Sequence, residues 1–139
     1  MLKGGCFCGK VRYEASGVPF NSTICHCIDC RRASAAPLVA WFSIDPAQLL
    51  FVQGEPKFFT SNGKAVRSFC PDCGTPLTFR HVDFPDEIDI TTCSLDMPEL
   101  IPPQDHTRTE RKLPWVHMTD GLPYFQTTRS DSQVESMGV

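Results

Sequence analysis

The sequence predicts a mainly β domain of short strands, and three observations point there. Twelve prolines and nine glycines are spread through 139 residues and leave little room for long helices. Period-two alternation of apolar and polar residues is the clearest periodic signal in the chain. Seven of the eight cysteines fall into three tight clusters, Cys6-Phe7-Cys8, Cys25-His26-Cys27-Ile28-Asp29-Cys30 and Cys70-Pro71-Asp72-Cys73-Gly74, a spacing of metal-ligating thiols.

Each predicted element follows from a local pattern. Val11, Tyr13 and Ala15 alternate with Arg12 and Glu14, which reads as a half-buried strand. A helical turn is expected over residues 30–35. Residues 38–42 are continuously apolar, as in a strand covered on both faces. Asp45-Pro46-Ala47-Gln48 reads as a turn, followed by strands over 49–52, 57–60 and 66–69. Ser61-Asn62-Gly63 is a tight hairpin connection. Leu77 and Phe79 alternate with Thr78 and Arg80, and Ile88 and Ile90 alternate with Glu87, Asp89 and Thr91. From Thr127 the chain turns rich in Ser, Asp and Gln, so the domain is expected over 1–126 with a flexible tail over 127–139.

Composition narrows the function. The net charge is -3 and the pI about 5.7. Two Zn²⁺ on seven thiolates would lower the charge by three more, to about -6. An acidic chain without a Lys/Arg run is a poor partner for nucleic acid, which leaves small molecules or proteins. No apolar stretch approaches the roughly 20 residues that span a bilayer. The start, Met1-Leu2-Lys3-Gly4-Gly5-Cys6, carries no apolar signal segment, so a reducing cytoplasmic location is expected. There, thiols serve metal binding or catalysis rather than structural disulfides.

The cysteines divide as four plus three. In Cys70-Pro71-Asp72-Cys73-Gly74, both sulfurs point to one side of a turn whose glycine takes the positive φ the bend requires. Cys6 and Cys8, two residues apart on a regular strand, would share a face and complete a closed four-thiolate zinc site. Closing the loop between the two pairs costs a few kcal/mol, against about 10–16 kcal/mol from structural zinc binding.

Cys25, Cys27 and Cys30 supply three thiols within six residues. His26, between two of them, should point away and is not counted as a ligand. The fourth corner is left to Cys93, to His81, or to water or substrate. Cys93 otherwise reads as a small buried hydrophobe, and His81 as a surface or packed histidine. A zinc ion held by three thiolates is a weak Lewis acid for making hydroxide. It suits a fourth soft ligand, a substrate thiol kept ionised and able to attack an aldehyde. Arg31 and Arg32 follow Cys30 at once, and one of them can face the site or an anionic group of the substrate.

Residues 5–13, 25–32 and 68–77, with Ser94-Leu95-Asp96, Pro114-Trp115 and Asp120-Gly121-Leu122-Pro123, resemble the glutathione-dependent formaldehyde-activating enzyme family, which also includes centromere protein V. The resemblance implies a β-tent of short antiparallel sheets around a zinc ribbon-like core. It implies two zinc ions per chain, a structural one on Cys6, Cys8, Cys70 and Cys73 and a second on Cys25, Cys27 and Cys30, where glutathione interacts. The family's founding activity joins formaldehyde to glutathione, the reverse of a carbon–sulfur lyase. Where that family places glycine before its Ser-Leu-Asp segment, this chain carries Cys93.

Three functional readings follow. The first is a zinc-dependent carbon–sulfur lyase or synthase acting on thiol–aldehyde adducts, with Cys25, Cys27 and Cys30 acting through zinc. The second is a binding module in which both metals are structural and Cys93 or a histidine closes the second site. The third is a redox role for Cys27 and Cys30. Trp41 and Trp115 are expected in the core, His106 and His117 in solvated or hydrogen-bonded roles, and Asp86, Glu87 and Asp89 along a solvent-facing edge.

Overall fold

In a computed structural model, which describes residues 1–129, the expected short strands dominate. They are β1 (Leu2–Gly5), β2 (Arg12–Ala15), β3 (Phe20–Cys25), β4 (Val39–Ile44), β5 (Leu49–Gln53), β6 (Lys57–Ser61), β7 (Ala65–Phe69), β8 (Pro76–His81), β9 (Ile88–Thr91) and β10 (Asp105–Thr107). The helix α1 (Ile28–Ser34) begins two residues before the expected turn. The chain's contacts cluster in two units, Met1–Phe20 with Phe42–Ile101, and Asn21–Trp41 with the residues from Pro102 onward. No helix among the described residues is long and apolar enough to cross a membrane.

In the first unit, β1, β2 and β5 form an antiparallel sheet in the order β1-β2-β5. The alternation at its centre does what the sequence requires: Val11, Tyr13 and Ala15 are each 1% exposed. Strands β9, β8, β7 and β6 follow one another in antiparallel pairing, with Phe42–Ile44 of β4 beside β9. The β6–β7 hairpin turns through Asn62, Gly63 and Lys64 with Ser61 opposite Ala65, and Asn62 and Gly63 take the positive φ of 45° and 73° that the bend requires. Between the strands lies an apolar core of Val11, Tyr13, Phe42, Ile44, Leu77, Ile88, Ile90 and Leu95, into which Cys6 and Cys70 pack.

A short segment after β9 locks this core. Thr92–Ser94 form a single 3₁₀ turn, after which Leu95 enters the core and bridges to Gly4. Tyr13 donates its hydroxyl hydrogen to Ser94 Oγ at 2.7 Å, because Ser94 already donates to the Thr91 carbonyl at 2.8 Å. Gly4 is required here, since a Cβ would collide with the Tyr13 ring hydroxyl and the Ser94 carbonyl. Arg12 grips the Asp96 carboxylate with both terminal nitrogens, the longer contact being 2.9 Å. This holds the Asp96 carboxyl below the usual carboxylate range.

The second unit is built differently. Its β3 and β10 pair in parallel, Asp105 opposite Thr23 and Thr107 opposite Cys25, with β4 on the other side of β3. On the free side of β10, the His106 amide donates to the Pro123 carbonyl at 3.0 Å and the Phe125 amide to the His106 carbonyl at 2.8 Å. Its buried residues are largely polar: Ser22, Thr23, His26, Asp105, His106 and Thr107, beside Cys25, Cys30 and Trp41. Of the expected tail, residues 130–139 lie outside the described residues. Before them, Thr127 accepts from the Arg108 amide, and Arg129 pairs with the buried Asp105 at 2.6 Å.

Four smaller expectations are corrected. Trp41 is buried, but Trp115 is 65% exposed rather than in the core. Asp89 is not on a solvent edge, because it accepts a hydrogen bond from Ser43 at 2.6 Å. Cys93 is exposed rather than buried. Cys6 and Cys8 do not lie on a strand, since β1 ends at Gly5 and the chain turns.

Burial pushes the Tyr13 hydroxyl up to about 12. A raised folded value stabilises the protein below about pH 10 and is lost as pH rises toward 12, on the order of 2 kcal/mol by that point. Tyr13→Phe should cost about 1 kcal/mol at neutral pH through the lost hydrogen bond. It should also remove the Tyr13 share of the alkaline loss. Urea unfolding of both proteins across that range checks this; an identical alkaline decline in the two would refute it.

Candidate metal centres

Two turns bring four cysteines together in the first unit. In the loop from β1 to β2, the Gly9 amide donates to the Cys6 carbonyl at 3.1 Å and the Cys6 amide to the Val11 carbonyl at 3.0 Å. In the loop from β7 to β8, the Gly74 amide donates to the Cys70 carbonyl at 2.9 Å and the Cys70 amide to the Thr75 carbonyl at 3.0 Å. Gly9 and Gly74 take φ of 81° and 79°, so the two loops are near-copies, each bent by a glycine in the left-handed region. The expected strand at Cys6–Cys8 fails because the bend at Gly9 brings the sulfurs round instead.

The four sulfurs lie within 4.8 Å of one another. Cys6 and Cys8 are 3.6 Å apart, and Cys8 and Cys70 are 3.8 Å apart across 62 residues of sequence. Metal–sulfur bonds of about 2.3 Å in a tetrahedron give an edge of about 3.8 Å, so the spacing fits such an ion. Backbone amides point at the sulfurs as they do at thiolates: Val11 N–H to Cys6 at 3.2 Å, and Asp72 and Cys73 N–H to Cys70, each at 3.4 Å. Hydrogen bonds from the Thr75 hydroxyl and amide bring the Cys73 thiol down to about 5.

The second group, Cys25, Cys27 and Cys30, lies wholly in the second unit, its sulfurs again within 4.8 Å of one another. Cys25 ends β3, Cys27 caps α1 and Cys30 sits in the first turn of α1. The cap is made by sulfur, Cys27 Sγ accepting from the Cys30 amide at 3.2 Å. That bond holds two of the three sulfurs at one helix end. Cys25's thiol is pushed up by its neighbours Cys27 and Cys30, and by burial. Three thiols this close cannot all ionise side by side unless a cation joins them, which is the chemistry of a soft-metal site. All eight cysteines are free of disulfides.

Neither group includes Cys93 or a histidine. His81 ends β8 in the first unit, where its Nδ1 accepts from the Asp83 amide at 3.1 Å. His117 is exposed.

Beside the three-cysteine group runs a buried histidine chain that no sequence pattern announces. His26 and His106 are 0% and 1% exposed. His26 Nε2 lies 2.9 Å from His106 Nδ1, and His106 Nε2 lies 2.8 Å from Asp120 Oδ2. The carboxylate end sets the order of protons. Asp120 accepts from His106 Nε2–H, so with both rings neutral His106 Nδ1 accepts from His26 Nε2–H. His26 Nδ1 is then a bare acceptor, buried and without a hydrogen-bond partner among the described residues. Burial, with the charges of Lys112 and Arg31, holds His26 down at about 4, so the ring is neutral near pH 7. Burial works against Asp120, yet the Leu122 amide and His106 keep its carboxyl below the usual range.

The family model for the glutathione-dependent formaldehyde-activating enzyme matches residues 1–111, which contain all seven clustered cysteines. The chain belongs to that family. Asp120, the outer end of the histidine chain in this member, lies beyond the matched region. No curated protein matches the chain. Among solved structures it is similar to a Rhodobacter sphaeroides protein, a structural-genomics target, at 23% identity and a TM-score of 0.58, over 68% of this chain and 87% of that one. At that identity the likeness concerns the fold alone.

Asp120→Asn should reverse the histidine chain. The asparagine amide donates to His106 Nε2, so His106 Nδ1–H donates to His26 Nε2 and leaves the proton of His26 on Nδ1. Nitrogen NMR of the imidazoles at neutral pH reads this directly. In the native protein, His26 Nδ1 should give a pyridine-type signal, and in the variant a pyrrole-type one. The same pattern in both proteins would show that Asp120 does not set the tautomers.

Proposed function

We propose that this family member is a zinc-dependent carbon–sulfur lyase or synthase of the cytoplasm. It would join a small thiol, glutathione or a relative, to formaldehyde or a related aldehyde, and cleave the same adduct in reverse. The observation that carries the reading is the division of the thiols into a closed group of four and a group of three. Family membership supports it by the chemistry in the family's name.

The reaction demands little. The sulfur electron pair forms the C–S bond as the C=O π pair moves onto oxygen, the proton given up by the thiol is returned to that oxygen, and nothing is oxidised or reduced. Zinc on Cys25, Cys27 and Cys30 would supply a soft Lewis acid that keeps a ligand's sulfur ionised near pH 7. The chain's own residues do the rest. Cys27 and Cys30 are held together by the sulfur cap of α1, and Cys25 is fixed by the pairing of β3 with β10. Cys6, Cys8, Cys70 and Cys73 would hold the structural zinc. They tie the β1–β2 loop to the β7–β8 loop and take no part in the chemistry.

The alternative, a binding module with both metals structural, asks for a fourth protein ligand at the second group. Cys93 is exposed, and His81 already serves Asp83. Neither observation favours it.

Zinc-loaded protein should accelerate the interconversion of formaldehyde, glutathione and their adduct, measured by NMR exchange. Cys30→Ser should lower zinc from two ions to one per chain, keep the fold by circular dichroism, and bring the rate down to the uncatalysed level. Full acceleration by the variant, or none by the native protein, would sink the proposal.

A further inference from the structure

The sequence left open which of Arg31 and Arg32 faces the second site, and α1 answers the question. Cys27, Cys30, Arg31 and Ser34 stand at i, i+3, i+4 and i+7, so they share one face of the helix. Arg32 is exposed, while Arg31 is partly buried. The Arg31 Nε lies out of contact with solvent and has no hydrogen-bond partner among the described residues. One turn further on, Ser34 Oγ is buried and unpartnered in the same way. A guanidinium N–H and a hydroxyl thus stand unsatisfied along the line that begins at two of the three clustered thiols. Leaving such donors buried is costly unless a ligand supplies the acceptors.

We propose that Arg31 and Ser34 form a carboxylate subsite, and that the thiol bound at the Cys25–Cys27–Cys30 group carries that carboxylate. This rests on the reading of the group as an open thiol site. A guanidinium matches a planar two-oxygen acceptor, and Ser34 supplies a further donor. Charge selects a monoanion. Three thiolates on one divalent ion bear -1, and a ligand thiolate makes the site -2, so Arg31 offsets one further negative charge but not the two of a phosphate. Spacing sets the reach. Neighbours one turn apart on a helix are about 5–6 Å apart at Cβ, so the carboxylate sits a few bonds from the sulfur.

Calorimetric titration of the zinc-loaded protein with mercaptoacetate and with its methyl ester tests the subsite. The acid should bind about 10-fold more tightly than the ester, the effect of one charge-assisted pair. Arg31→Gln should erase that preference while leaving ester binding within about 2-fold, and Arg31→Lys should restore only part of it. Arg32→Gln should change nothing. Ester binding by the Arg31→Gln protein reports that the thiol site is intact. If that variant does not fold, the acid–ester comparison in the native protein decides alone. Equal affinity for acid and ester, or a preference that survives Arg31→Gln, overturns the subsite and leaves the open thiol site standing. If neither probe binds, both fall.

Discussion

Four sulfurs held within 4.8 Å of one another form the constraint on which the first unit depends. Two pairs of cysteines 62 residues apart in sequence meet there, and with them the loop from β1 to β2 meets the loop from β7 to β8. As thiols they offer only weak contacts, and as bare thiolates they repel. A zinc ion bound there would turn the same arrangement into about 10–16 kcal/mol of stabilisation, more than the loop closure costs. Cys6 and Cys70 sit inside the apolar core, so a metal bound there would reinforce core packing at the same residues.

The second unit follows another logic. Its interior is polar, and its order comes from directional bonds: the parallel β3–β10 pairing, the threonine contact between Thr23 and Thr107, and the chain from Asp120 through His106 to His26. Such an interior is stable only when its groups are satisfied. Most of them are. The exceptions include His26 Nδ1, Arg31 Nε and Ser34 Oγ, the last two on the helix face that carries Cys27 and Cys30.

Much of the first unit was legible in the sequence because its signals are local. Alternation at 11–15 and 88–91 marks the strands, and Asn62-Gly63 marks the hairpin. The Cys-x-x-Cys-Gly knuckle marks one half of the clasp. Its other half was legible in composition but not in conformation: Gly9 makes Cys6–Cys8 a second turn rather than a strand. The start of α1 was missed because Cys27 caps it through sulfur, outside the usual Ser, Thr, Asp and Asn signals. Three residues, Asp105–Thr107, are too few for an alternation to show, so β10 went unseen. The histidine chain was invisible for a further reason. His26 and His106 are 80 residues apart, and the parallel pairing of β3 with β10, just before His26, brings them together.

The claim that the thiols divide into a closed site and an open one is tested most directly by replacing both metals with cobalt and recording the visible absorption spectrum. Cobalt reports tetrahedral geometry and the number of thiolates bound to it. The expected result is two cobalt ions per chain, one with four thiolates and one with three. On adding glutathione, the thiolate charge-transfer bands of the second ion alone should intensify. Four thiolates at both ions before any thiol is added, or a spectrum indifferent to glutathione, would contradict it.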